Sequence, residues 1–384
     1  MAFNFKLFFR LAYRTLFTTR GTNARLTPKR IFVIIVITAL YGAVEIINWL
    51  GFFLDSILFR GSRNQMIQEP LFIVGVPRSG TTFLHRLLAR DEDQFTSMKF
   101  WEILFAPSII QKKFYKTIGA FDALCGGPLY RLVRALEKRS VKNLAKIHPI
   151  SLFEAEEDGI ILLHIFSSAF LGFVLPFLDD LWPYVLLDLE MKDAAQRAKI
   201  MGFYRRCVQN HLYVFGKKKR FLSKNPLFST MVGSLNEAFP DAKFICMMRT
   251  PFETVPSAIS LLSFYFHTFL SPIEPCPFLD RQLEMISCYY RYPLTRLDRM
   301  SPDRQKLITY QALVTHPAQT VTGIYTSFGF AMSPGYNTII QSEEEKARSY
   351  KSRHEYSLEK FGLTREQVVA RYEDIFDRFG FEKA

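Results

Sequence analysis

The chain has 384 residues, of which 49% are hydrophobic. This hydrophobic content is enough for the core of one large domain or two small ones, and it excludes a disordered chain. Lysine and arginine outnumber aspartate and glutamate by 49 to 36, so the formal net charge of +13 favours an anionic cofactor, membrane surface or nucleic acid. The five cysteines are scattered without a Cys-x-x-Cys pair, which indicates neither a disulfide framework nor a zinc site.

The first 30 residues are basic and apolar. They contain seven lysine or arginine residues and no acidic residue, and phenylalanine and leucine fill much of the space between them. Lys6, Arg10 and Arg14 recur every four residues, so a helix places them on one face. This pattern is typical of a helix on a membrane surface, and the alternative is a basic surface helix of a soluble fold.

Residues 31–54 form an apolar segment whose 24 residues are long enough to span a bilayer. However, Glu45, Asn48 and Asp55 fall on one helical stripe, and a carboxylate at the middle of a membrane costs about 2.5 to 3.5 kcal/mol. Two alternatives stay open: a single span with a cytoplasmic N terminus, or a helix in the plane of the membrane. We predict a membrane-associated protein, with a helical segment at 1–60 and an α/β domain at 68–384.

Residues 72–89 combine the features of a strand, a tight loop and a helix. Four apolar residues lead into a turn with two glycines, and apolar residues then recur at helical spacing. Such a junction directs backbone N–H groups and the positive end of the helix dipole at one point, so it binds phosphate or sulfate. Arg78 adds a positive charge, and Thr81 and Thr82 add hydroxyl donors. The alternative is an ordinary strand-to-helix turn with a surface arginine.

The spacing of Gly75 and Gly80 matches the P-loop of nucleoside triphosphatases, but Thr81 occupies the position where that motif has lysine. Phosphoryl transfer also needs Mg²⁺, which a carboxylate at the end of a second strand holds. Here the predicted strand 244–248 is followed by Arg249. Both features count against a P-loop kinase or NTPase. That class stays an alternative, as does a non-catalytic, membrane-tethered nucleotide-binding protein.

The next part of the chain contains two candidates for a catalytic base. Glu102 lies among apolar residues such as Trp101, where desolvation is expected to raise its pKa, and the alternative is a glutamate on a helix surface. His148 is the second candidate. The acidic residues 154–158 fit the first turn of a helix, and the apolar run 160–178 is expected to form a buried helix that walls an acceptor pocket.

Three further segments are predicted strands: 221–224, 241–249 and 307–310. Strands that alternate with helices predict an α/β fold, P-loop-like and three-layered, with a central parallel sheet. Ligands bind at the carboxyl ends of such strands. Lys224 therefore faces the same edge as the first loop, where Arg249 and Ser257 are placed to clamp a second phosphate.

These residues together resemble the sulfotransferase superfamily, which uses the donor 3′-phosphoadenosine 5′-phosphosulfate (PAPS). Residues 76–82 resemble the loop that binds the donor's 5′-phosphosulfate, and Arg249, followed eight residues later by Ser257, resembles the family's 3′-phosphate clamp. The likeness covers 68–384. A bacterial-type branch, some of whose members act on lipid or quinone alcohols, is similar at further positions: Trp101, Glu102, 224–226, Tyr310, 313–317 and 356–363.

The resemblance implies that the 5′-phosphosulfate is held by residues of the first loop: Arg78, Ser79, Gly80, Thr81 and Thr82. It implies that Arg249 and Ser257 hold the 3′-phosphate and that Tyr310 lies near the adenine. Lys351 and Arg353 loosely match a basic loop that closes on the 3′-phosphate. The implied donor is PAPS, and no metal is implied.

For the chemical step, Lys224 matches a lysine that assists the leaving phosphate, with Arg78 as a second cation. Glu102 matches the general base of protein-tyrosine-type members. No histidine follows Lys224, so the base of the cytosolic members is missing, which favours Glu102 over His148 or Glu157. The expected partners are a lipid-like hydroxyl acceptor and a membrane surface, and no nucleic acid.

Overall fold

The computed structural model describes residues 3–140, 151–348 and 357–383. The strands within these residues are β1 Leu71–Gly75, β2 Phe95–Thr96, β3 Arg220–Lys224, β4 Lys243–Met248 and β5 Gln305–Thr309. They form one sheet in the order β2-β3-β1-β4-β5, and all neighbouring strands pair in parallel. The predicted α/β fold with a central parallel sheet is therefore confirmed, and β2 is a two-residue strand that is too short for a sequence pattern.

Helices cover both faces of the sheet. The α-helices are α1 Phe5–Phe17, α2 Pro28–Leu58, α3 Thr81–Leu88, α4 Phe100–Phe105, α5 Ile109–Leu124, α6 Pro128–Ser140, α7 Leu178–Val185, α8 Leu187–Glu190, α9 Ala194–Phe215, α10 Val232–Ala238, α11 Pro251–Phe269, α12 Leu279–Leu297, α13 Tyr310–Thr315, α14 Pro317–Phe328, α15 Pro334–Arg348 and α16 Arg365–Phe379. Short 3₁₀ helices lie at Arg60–Asn64, Asp158–Ile165, Ala169–Phe173, Pro226–Met231 and Glu359–Phe361.

β1 lies at the centre of the sheet and is buried on both faces. Phe72 and Val74 pack in the larger core, with residues of α9, α10, α11, α12 and α16. Leu71 and Ile73 pack in the smaller core, with residues of α3, α14 and α15. Successive side chains of a strand point to opposite faces, so a continuous apolar run fits a central parallel strand.

The helices α1 and α2 pack against the rest of the chain. Leu7 and Leu11 of α1 belong to the larger core. Arg10 and Arg14, two of the three basic residues on the predicted helical face, form ion pairs with Asp180 of α7 at 2.6 and 2.5 Å. The predicted N-terminal segment therefore shares a core with the α/β body.

Residues 160–178 do not form the single buried helix that the sequence predicts. Two 3₁₀ helices, at 158–165 and 169–173, are separated by Phe166, whose φ is 51°. The side chain of Ser168 accepts a hydrogen bond from the backbone N–H of Phe170 at 3.3 Å, which caps the second turn. Local hydrogen bonds of this kind compete with a continuous helix.

Gly75 ends β1 with a φ of +132°, and a Cβ there would lie 2.2 Å from the carbonyl oxygen of Met247 on β4. We expect Gly75→Ala to lower the free energy of unfolding by about 3 kcal/mol or more, because backbone strain and overpacking each cost about 1–3 kcal/mol. Urea denaturation measures this. Gly202→Ala on α9, where a Cβ meets nothing within 4 Å, is the control and should be neutral or stabilising. Equal stabilities of the two variants would contradict the close approach of β1 and β4.

Candidate active site

The anion loop, residues 76–80, connects β1 to α3 as the sequence predicts. Arg78 and Gly80 adopt left-handed backbone conformations, with φ values of 71° and 89°, and Gly80 is the N-cap of α3. The side-chain oxygen of Ser79 is buried and has no hydrogen-bond partner among the described residues. An unsatisfied buried oxygen costs about 1–3 kcal/mol, so a ligand that supplies a partner is favoured here. The loop thus offers an anion site at the positive end of a helix.

Four of the predicted donor-binding residues form one chain of contacts beside the anion loop. Nε of Arg78 donates a hydrogen bond to Oγ of Ser257 at 2.9 Å, and Nη1 of Arg249 donates to the carbonyl oxygen of Arg78 at 3.1 Å. The guanidinium of Arg249 lies over the ring of Tyr310, 3.9 Å from its centroid. These residues follow β1, β4 and β5, which are neighbours in the sheet, so the parallel strands bring them to one edge.

The ring of Tyr310 packs close to both the anion loop and Arg249. A Cβ at Gly80 would be 2.7 Å from Cδ2 of this ring, so only glycine at position 80 allows the loop to lie this close to the ring. The cation–π contact of Arg249 with this ring contributes about 0.5–2 kcal/mol. The guanidinium fork of Arg249 also binds the carboxylate of Glu253, at 2.5 and 2.9 Å, and the Glu253 side chain is 47% exposed. The Arg249 side chain itself is 20% exposed and lines the cavity, so it is held in place where a ligand in the cavity can reach it.

A cavity of about 1080 Å³ joins the anion loop to an apolar chamber. Its lining includes predicted site residues: Arg78, Gly80, Thr81, Thr82, Arg249, Ser257 and Tyr310. The same lining includes apolar side chains: Phe170, Phe173, Leu178, Trp182, Leu261 and Phe266. Three of these belong to the apolar run that the sequence assigns to an acceptor wall. The cavity is slightly larger than the roughly 300–1,000 Å³ that ligand pockets occupy, so it has room for two groups of different polarity.

Lys224 ends β3 beside the cavity and is fully buried. Its ammonium lies 3.2 Å from Oε1 of Glu157 and 3.8 Å from Oε2 of Glu156. Glu157 lines the cavity. Burial raises the pKa of Glu156, an effect that the nearby Lys224 opposes. The predicted Lys224 is thus linked to the cavity wall by the carboxylate of Glu157, which is an alternative candidate for the base.

Glu102 lies in a different environment from the one that the sequence predicts. Its carboxylate is buried, 3.1 Å from Nζ of Lys112 and 2.8 Å from Nδ1 of His211. Burial alone would raise its pKa, but these two partners and the backbone N–H of Lys99 lower the pKa to about 2. The expected rise in the pKa of Glu102 is therefore wrong. Glu102 is also not among the residues that line the cavity, so the structure does not bring it to the anion loop.

Three predicted site residues, His148, Lys351 and Arg353, lie outside the described residues. Arg86 is a cavity residue that the motifs did not indicate. It lies on α3 four residues after Thr82, and this i, i+4 spacing is the signal that identifies it. In the described part of the chain, no group of three or more His, Cys, Asp or Glu side chains is arranged to hold a metal ion.

The fold and the site define a class: an α/β protein in which a loop at the N terminus of a helix and two arginines share a cavity with apolar side chains. The Sulfotransferase family model matches residues 70–334. The chain therefore belongs to the sulfotransferase family, and it is a transferase.

Among its relatives are the omega-hydroxy-beta-dihydromenaquinone-9 sulfotransferases of Mycobacterium bovis and Mycobacterium tuberculosis. Each is 24% identical over 355 residues, which cover 90% of this chain and 84% of the relative. Sulfotransferase STF9 of Mycobacterium avium has a similar structure, with a TM-score of 0.73 and 18% identity over 100% of this chain and 98% of that one. Sulfotransferase STF1 of Mycobacterium tuberculosis has a TM-score of 0.67 and 20% identity over 97% and 94%.

Proposed function

We propose that the protein moves the sulfuryl group from PAPS to a hydroxyl of a lipid-like acceptor. The observation that carries this proposal is that residues of the anion loop and aromatic and aliphatic side chains line the same cavity. A nucleotide donor fits the anion loop, and an apolar acceptor fits the apolar side chains. Relatives whose name gives an ω-hydroxylated menaquinone as the molecule that they sulfate support the same acceptor class.

In this proposal the anion loop holds the donor's 5′-phosphosulfate. The backbone N–H groups at the start of α3 and the hydroxyls of Thr81 and Thr82 supply donors. The buried hydroxyl of Ser79, which has no partner among the described residues, would donate its O–H. Arg249 and Ser257 hold the 3′-phosphate, and Tyr310 keeps Arg249 in place. A charged hydrogen bond contributes about 1.5–3 kcal/mol, so Arg249 makes the largest single contribution to the preference for a 3′-phosphorylated nucleotide.

The chemical step transfers one group and one proton. The acceptor oxygen attacks the sulfur, the bond from sulfur to the bridging phosphate oxygen breaks, and the acceptor's proton moves to the carboxylate of Glu157. The products are a sulfate ester and adenosine 3′,5′-bisphosphate. When Glu157 gains the proton, its attraction for Lys224 falls, and the ammonium is released to neutralise the charge on the leaving oxygen. Cations aimed at this developing charge are the electrostatic part of the catalysis.

The nucleotide preference tests the proposed donor. We expect calorimetric titration to give at least about tenfold tighter binding of adenosine 3′,5′-bisphosphate than of ATP with Mg²⁺, because Arg249 and Ser257 fit a 3′-phosphate. Tighter binding of ATP with Mg²⁺ would overturn the proposal in favour of phosphoryl transfer. The acceptor class is tested by incubating membranes with a radiolabelled sulfate donor. Label that appears only in soluble sugars or proteins would exclude a lipid acceptor.

We also propose that the protein is membrane-associated. Helix α2 is long and apolar enough to cross a membrane by its length and composition. Because an apolar acceptor dissolves in the bilayer, association with a membrane would place the enzyme where its substrate is concentrated. The formal net charge of +13 adds attraction to an anionic lipid surface.

A further inference from the structure

The burial pattern of α2 is the reverse of the pattern of a surface helix in a soluble protein. Its buried residues are polar or small: Arg30, Glu45, Asn48, Gly51 and Asp55. Its exposed residues are apolar, and Phe32, Leu40 and Ile46 are 68%, 63% and 73% exposed. Large apolar side chains on the outside of a helix mark a binding surface for another apolar phase.

Contacts tie α2 to the body along its length. Near its start, Nη1 and Nη2 of Arg30 donate to the carbonyl oxygens of Phe269 and Val174 at 2.7 and 2.5 Å. Near its end, the carboxylate of Asp55 accepts from the backbone N–H groups of Ile109 and Ile110 at 2.6 and 2.9 Å.

The middle of α2 is tied in the same way. Oε1 of Glu45 lies 2.6 Å from Nδ1 of His164, and Asn48 donates to the carbonyl oxygen of Leu104 at 3.0 Å. The contacts from residue 30 to residue 55 cover about 37 Å of helix, at 1.5 Å per residue. This is longer than the hydrocarbon core of a bilayer, which is about 30 Å. A spanning α2 would therefore pull the contacted parts of the body into hydrocarbon.

The helices that neighbour α2 also expose apolar side chains. Tyr41 of α2 and Phe8 of α1 both contact the ring of Phe166, so α1 and α2 meet on the same side of the body. Helix α5 runs beside the second half of α2. Gln111 of α5 donates a hydrogen bond to the side-chain oxygen of Asn48 on α2. The exposed apolar side chains of these neighbours include Phe9, Phe17, Phe114, Phe121 and Leu124.

Helix α6 follows α5 and has two chemically distinct faces. Leu129, Leu132 and Leu136 are exposed at helical spacing. Arg131 and Arg134 lie between them in sequence, and Lys138 follows them. An apolar stripe next to lysine and arginine is typical of helices that lie in the interface of an anionic membrane.

We propose that the exposed apolar side chains of α1, α2, α5 and α6 insert into one leaflet of a lipid bilayer, with α2 in the plane of the membrane. We call these side chains the insertion surface. The buried side of α2 contacts His164 and Val174, and Phe170 and Phe173 of the same stretch of chain line the cavity, so a lipid acceptor would have a short path from the membrane to the apolar chamber. This inference is independent of the reaction, because it rests on burial and contacts alone.

A topology experiment separates the in-plane arrangement from a span. The sequence contains no Asn-x-Ser/Thr glycosylation site, so acceptor sites can be added on a clean background. One flexible insert of about 30 residues with such a site is placed at Gly21 and another at Gly61, which are exposed and lie on either side of α2. The full chain is translated with microsomes. We expect the two inserts to have the same glycosylation state and the chain to float with the membranes. Modification of only one insert would show a span and overturn the proposal.

A vesicle experiment tests the surface itself. Purified full-length protein is mixed with vesicles of phosphatidylcholine, with and without phosphatidylglycerol. We expect Ile46→Asp or Phe53→Asp to weaken binding at least about tenfold, because each removes an apolar side chain from the leaflet. Both positions are exposed, so folding is preserved, which circular dichroism checks. Ile339→Asp on α15 is the matched control and should change binding by less than about twofold.

Two outcomes would overturn the insertion surface. In the first, the unmodified protein does not bind either vesicle. In the second, Ile46→Asp leaves vesicle binding unchanged and converts a dimer to a monomer in sedimentation, which would assign the surface to a second copy of the chain. Neither measurement uses donor or acceptor, so failure here leaves the proposed reaction standing.

Discussion

Glu157→Gln is expected to lower kcat at least about a hundredfold while the affinity for adenosine 3′,5′-bisphosphate stays within about threefold, because a general base contributes roughly 10²- to 10⁴-fold. The glutamine side chain keeps the shape of Glu157 and an oxygen for Lys224, but it cannot accept a proton. Glu157 lines the cavity and lies 3.2 Å from the Lys224 ammonium. Initial rates with a labelled donor and calorimetric titration of the nucleotide measure the two quantities.

Glu156→Gln is the matched control, because Glu156 contacts the same ammonium but is not among the residues that line the cavity. We expect it to reduce kcat by less than about fivefold. Glu102→Gln provides the opposing case. It should lower the free energy of unfolding, because it leaves Lys112 without its buried partner. The folded fraction of this variant should still catalyse the reaction. Full turnover in Glu157→Gln together with its loss in folded Glu102→Gln would return the role of base to Glu102.

The contrast between Glu102 and Glu157 shows which part of the site the sequence could predict. The apolar neighbours of Glu102 are local, and they correctly indicate burial. The sign of its pKa shift depends on Lys112, 10 residues away, and His211, 109 residues away, which no local pattern reports. The pair of Lys224 and Glu157 is likewise separated by 67 residues. Contacts of this range are set by packing, so they are known only from the fold.

The anion loop and the strand ends were predictable for the opposite reason. A strand, two glycines and a helix are consecutive in sequence, and their geometry is local. Parallel strands then bring Arg78 and Arg249 to one edge without further information. Helix α2 was only partly predictable from the sequence. Periodicity identified the stripe of Glu45, Asn48 and Asp55, but only the structure shows that this stripe faces the protein and that the apolar residues face outward.

Arg249→Ala should weaken the binding of adenosine 3′,5′-bisphosphate about a hundredfold and change the affinity for adenosine 5′-phosphosulfate by less than about threefold. Two charged hydrogen bonds to a phosphate contribute about 3 kcal/mol, which corresponds to roughly a hundredfold in affinity. Adenosine 5′-phosphosulfate lacks the 3′-phosphate, so it loses nothing when the guanidinium is removed. Isothermal calorimetry with both nucleotides measures the ratio, and an equal loss for both would refute the clamp.

Two further variants make this test specific to the guanidinium fork. Arg291→Ala removes an arginine that is paired with Asp374 and is not among the cavity residues, so both affinities should be unchanged. Arg249→Lys keeps the charge but loses the planar fork that binds a phosphate through two N–H groups and stacks on Tyr310. We expect it to recover only part of the affinity. Full recovery would mean that charge alone selects the 3′-phosphate, and the stacking of Arg249 on Tyr310 would then have no role in nucleotide recognition.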